Sequence, residues 1–111
     1  MRESLIINIR SFKSSADMIY SAKDYTSAAI LYFKCLFVAL DLIILQKKGK
    51  SPKDHTERFK VLKEDFPELY SILDKHYPLY RQTYSLMISK AACTEVKKNV
   101  ERIIEECKIS V

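Results

Sequence analysis

The stretch 26-TSAAILYFKCLFVALDLIIL-45 decides the fold. Its twenty residues carry only two charges, Lys34 and Asp41, so by length and apolarity alone it would suit a membrane span. The two charges lie seven apart, on one helical face in mid-segment, where each would cost about 2.5–3.5 kcal/mol on an insertion scale. A central helix of a bundle, buried on most sides and showing one polar stripe, is the better reading. No membrane association is expected, and the Met1-Arg2-Glu3 start lacks the pattern of a signal peptide.

On either side of this run the helical period continues. Leu5, Ile9, Phe12, Ala16 and Ile19 recur at spacings of four and three, which predicts an amphipathic helix from about Glu3 to Ser21. Asp24 and Thr26 suit the N-cap of the apolar helix, and Gln46-Lys47-Lys48-Gly49 suits its end, with cations at the negative pole and glycine in the left-handed cap. Ser51, Pro52 and Asp54 mark a third helix with His55, Phe59, Leu62 and Phe66 on one face. Asp65, Pro67 and Glu68 mark a fourth, in which Leu69, Leu73, Tyr77, Tyr80, Tyr84 and Met87 keep helical spacing and Pro78 predicts a kink or a break. Thr94 suits the cap of a last helix, with Val96, Val100, Ile103 and Cys107 on its inner face. Short connections favour antiparallel neighbours, so the fold class is all-α: a single antiparallel bundle of four to five helices over residues 1–111.

Gly49 is the only glycine in 111 residues. Hairpin turns with positive φ are therefore scarce, which argues against a β sandwich or barrel. The dinucleotide fingerprint and the P-loop both need several glycines, so neither is present. Cys35, Cys93 and Cys107 form no CxxC pair and leave an odd thiol, as in a reducing, cytoplasmic setting. His55 and His76 stand outside any metal-binding motif, so no metal and no cofactor are expected.

What remains for chemistry is a set of basic and aromatic side chains, in a chain of net charge +5. Asp54, His55 and Arg58 fall within one helical turn and form a polar cluster suited to a phosphate. His55 also shares a face with Phe59 and Leu62, the position of a half-buried histidine satisfied by a neighbour. Tyr70, Tyr77, Tyr80 and Tyr84 surround Arg81, which suits either core and interface aromatics or a phosphate-pairing Arg81 with Tyr80 or Tyr84 offering a hydroxyl or a stacking face. Lys47, Lys48, Lys50 and Lys53 make a compact positive corner.

The stretch Ser21-Ala22-Lys23-Asp24-Tyr25-Thr26-Ser27-Ala28-Ala29, running through Leu45 to Lys48-Gly49-Lys50-Ser51-Pro52-Lys53-Asp54-His55, resembles the HEPN domain of prokaryotes. The shared features are their order: an amphipathic helix, a D-Y-x-x-A-A entry into a long aromatic helix, a Lys-Gly turn and a histidine opening a short helix. The resemblance spans about residues 3 to 107. It implies an all-α homodimer with a polar interfacial cleft for RNA or nucleotide, and in some members a minimal nucleotidyltransferase as partner in a toxin-antitoxin-like pair. Active ribonucleases of the family carry an arginine followed after four to six residues by a histidine. Here the positions after Arg81 hold Leu86, Met87 and Ile88. The resemblance therefore implies a noncatalytic module, binding through Arg81, Tyr80, Tyr84, His55, Arg58, Lys50 and Lys53. The alternative is a divergent metal-independent ribonuclease drawing on Arg81, His55 and Tyr84, with histidine as the group that titrates near neutrality.

Overall fold

The computed structural model describes residues 1–109; Ser110 and Val111, the end of the expected 1–111 domain, lie outside the described residues. The described residues form five helices and no strand: α1 (Arg2–Ser21), α2 (Tyr25–Lys48), α3 (His55–Asp65), α4 (Pro67–Gln82) and α5 (Lys90–Cys107). This is the all-α bundle expected from the periodicity.

Helix α2 is the axis, and every other helix packs on it. Tyr32, Phe33, Leu36, Leu40 and Leu42 are fully buried, each worth about 1.5–3 kcal/mol relative to exposure. By length and apolarity α2 would cross a bilayer, yet most of it is covered by the surrounding helices. Helix α1 folds back along it through Ile9 and Ala16, and α5 lies beside it through Val96, Val100, Ile103 and Cys107. Gln46 at the end of α2 donates to the Cys107 carbonyl at the end of α5 (3.1 Å), so these two helices run in the same direction. The α3–α4 pair makes that possible by returning the chain to the start of α2, where the Ile88 N–H donates to Thr26 Oγ1 (2.8 Å).

The caps explain where the helices stop. Asp24 accepts from the Ser27 N–H (3.1 Å) at the head of α2, and Gly49, at φ +84°, closes its tail with an N–H bond to the Leu45 carbonyl. Two other helix ends reach the left-handed region without glycine, at Lys23 (φ +68°) and Lys108 (φ +57°). Ser51 and Pro52 stand in the lead-in to α3, and it is Asp54 that caps it by accepting from the Glu57 N–H (2.9 Å). Pro78 does not break α4, which runs through it; the Asp74 carbonyl simply loses its usual donor. The helical spacing through Met87 does not hold. Helix α4 ends at Gln82, Met87 is 94% exposed in the connection to α5, and Ser89 rather than Thr94 caps α5.

All three cysteines are buried. Cys35 and Cys107 donate to the Ile9 and Ala39 carbonyls (both 3.5 Å), and burial pushes both thiols up to about 12. A set of charged side chains ties α1 to α2 and α5. Lys13 bridges Asp17 (2.6 Å) and Glu101 (3.0 Å), and Tyr32 donates to Asp17 (2.5 Å).

Candidate functional site

The face of α2 turned toward α3 and α4 carries Phe33, Lys34, Phe37 and Asp41, at spacings that fall on one side of a helix. The first turn of α3 sets His55 and Arg58 opposite that face. The last turns of α4 add Tyr77, Tyr80 and Arg81, with Tyr84 just beyond.

Arg58 is the hub. Its Nε donates to Asp41 Oδ1 (2.6 Å) and its Nη2 to Asp41 Oδ2 (2.9 Å), while Nη1 donates to His55 Nδ1 (2.5 Å). Both members of the ion pair are buried, and the guanidinium also lies over the Phe37 ring, 5.1 Å from its centre. A guanidinium has no acceptor, so Nδ1 is the acceptor and the neutral ring carries its proton on Nε2. Burial, followed by the Arg58 and Lys34 cations, pushes the His55 pKa below its ordinary value against the pull of Asp41 and Asp54. The imidazole is thus uncharged at neutral pH. Every buried side-chain polar atom among the described residues has a partner, and Nε2 has none, so it reaches solvent.

Aromatic rings wall the cluster. The His55 ring stands edge-on to Phe37 (4.8 Å between centres) and to Tyr77 (5.9 Å), with Tyr80 at 6.2 Å. Tyr80 in turn packs on Phe33 and Phe37 and shares a hydrogen bond with the Tyr84 hydroxyl (3.2 Å). That bond, with burial, raises the Tyr80 hydroxyl to about 12. The Arg81 guanidinium sits 6.0 Å from the Tyr77 ring centre, so Tyr77 is flanked by both Arg81 and His55.

Of the residues singled out in the sequence, His55, Arg58, Tyr80, Arg81 and Tyr84 are brought together here. Lys50 is not among them. It lines a small cleft with Glu57 and Val61, on the far side of α3 from His55, and Lys53 is exposed on the connection leading into α3. Sequence reasoning missed Phe37, Asp41 and Tyr77 as parts of the site. The one available signal was the Lys34/Asp41 stripe in an apolar run, which says that something polar must face it but not what. His76 lies elsewhere, buried between α4 and α5 with its Nε2 accepting from Asn99 (2.7 Å). No group of three or more His, Cys, Asp or Glu suited to a metal ion occurs among the described residues. A cavity of about 480 Å³ opens at the other end of α2, between Ile43, Phe66, Leu69 and Lys108, and contains none of the cluster residues.

Comparison with protein-family models, with curated proteins and with solved structures finds no match to this chain.

Proposed function

We propose that this protein is a noncatalytic, HEPN-like module that forms a homodimer and binds nucleotide or RNA at the His55–Arg58 cluster where α2, α3 and α4 meet. The observation that carries this reading is the state of His55. Its Nδ1 is taken by Arg58 and its Nε2 already holds a proton, so the ring offers a hydrogen-bond donor and no basic site to the solvent. A ribonuclease needs a group that accepts a proton near neutral pH. The hydroxyl of Tyr80, raised to about 12, is no substitute.

What surrounds the histidine suits binding. Lys34 and Arg81 supply charge for phosphate, and Tyr77, Tyr80 and Tyr84 supply rings for stacking. Tyr84, Leu86 and Met87 leave an exposed apolar tip beside the cluster, which supports a second copy as its cover. A minimal nucleotidyltransferase, as in toxin-antitoxin-like pairs, is the further partner that the resemblance implies.

The test is binding of single-stranded RNA and of nucleotides at low salt, with the RNA recovered and sized afterwards. Salt-sensitive binding that weakens in Arg81→Ala, with the RNA intact, is the expected result. Cleavage that disappears in His55→Ala would establish the ribonuclease alternative instead.

A further inference from the structure

The charges around His55 narrow the ligand further. Resting on the binding reading above, we infer that this cluster selects a terminal phosphate, the phosphomonoester at the end of a nucleotide or an RNA strand, over an internal phosphodiester, and that Asp41 is the positioning residue that sets this preference.

Three cations border the cluster: Lys34, Arg58 and Arg81. Asp41 engages Arg58 at two points and cancels its charge. Asp54, the other carboxylate acting on His55, is held at the helix cap, accepting from the Glu57 N–H. Lys34 and Arg81 are exposed and form no ion pair among the described residues. Two uncompensated positive charges and one neutral N–H donor therefore face the solvent around Tyr77 and Tyr80.

A phosphomonoester above its second pKa of about 6 carries nearly two negative charges and three acceptor oxygens. An internal diester carries one charge and two non-bridging oxygens. The monoester matches the site in charge, and it supplies only acceptors to a set of donors. Without Asp41 the site would hold a third free cation and an unanchored imidazole. It would then attract any polyanion, and the distinction would fade.

The experiment titrates the full chain, at about pH 7.5 and fixed salt, with adenosine 5′-monophosphate, adenosine, the dinucleoside ApA and its 5′-phosphorylated form pApA. The monophosphate and pApA are expected to bind about tenfold or more tightly than ApA and adenosine. Stronger binding of pApA than of the monophosphate points to a strand end as the natural ligand, and the reverse to a free nucleotide; either order upholds the phosphate preference. In Asp41→Asn the ratio of monophosphate to ApA affinity should shrink. Because that variant removes half of a buried pair, the surface variants Lys34→Gln and Arg81→Gln are measured beside it, and each should weaken the monophosphate more than ApA. Equal binding of ApA and the monophosphate by the unaltered chain would overturn the inference and leave the nucleotide-binding reading intact. If neither these four nor single-stranded RNA binds, the binding reading itself is overturned.

Discussion

Asp41 and Arg58 join α2 to α3 through a two-point ion pair, Nε–Oδ1 at 2.6 Å and Nη2–Oδ2 at 2.9 Å, and this pair hands one remaining guanidinium donor to His55. A charge on the central helix thereby fixes the tautomer of a histidine on its neighbour. In aliphatic surroundings such a pair roughly breaks even against an apolar replacement, whereas removing one partner leaves a buried charge alone.

Asp41→Asn should therefore destabilise the fold by about 3–5 kcal/mol, and the double change Asp41→Leu with Arg58→Met should restore much of that. Urea denaturation of the three chains measures it. A single-variant loss well under 1 kcal/mol would show that the pair is not buried as described.

The two histidines give stability a pH dependence of definite sign. Burial, with the Arg58 cation at His55, holds both below their ordinary value in the folded chain. The unfolded chain takes up these protons at about pH 6.5 and the folded chain only at lower pH, so stability falls as pH drops from about 6.5 toward the folded values. Below those values their contribution is lost and constant. Replacing both by glutamine should flatten the curve between about pH 7 and 5, and an unchanged slope would assign the dependence to other groups. Nitrogen-15 NMR at neutral pH should also find the His55 proton on Nε2.

Helix ends supply a prediction free of contacts. Nothing lies within 4 Å of a Cβ built on Gly49, so Gly49→Ala has no steric cost and should lose about 1 kcal/mol through its positive φ alone. Lys23→Gly should do the opposite and gain about 0.5–1 kcal/mol, because lysine there occupies a left-handed conformation that glycine adopts freely. Thermal or urea unfolding reads both signs.

The exposed tip supports a dimer that solution mass can test. Met87→Asp should shift the chain toward monomer in light scattering over a concentration series without changing its helical content, since Met87 is 94% exposed and lies outside the helices. A monomeric unaltered chain would remove the homodimer from the proposal.

How much of this was legible in the chain follows from the range of each interaction. The core of α2, the Asp24 cap, the Gly49 terminus and the inner face of α5 depend on residues three or four apart, and their spacing declares them. The candidate site depends on Asp41 meeting Arg58, and Phe37 meeting Tyr80, across three helices. No periodicity encodes which face of α3 turns toward α2. Only the odd presence of Asp41 within an apolar run hinted at a partner. Met87 misled in the other direction, because helical spacing continues by chance past Gln82, where the N–H groups of Ser85 and Leu86 turn back to the Gln82 carbonyl.

The most direct test of noncatalytic binding at this cluster is a gel-shift titration of end-labelled single-stranded RNA at low salt, followed by sizing of the same RNA on a denaturing gel. The expected result is a salt-sensitive complex with full-length RNA recovered, and about tenfold weaker binding in Arg81→Ala. Shortened RNA whose production depends on His55, or no complex at any salt, would contradict it.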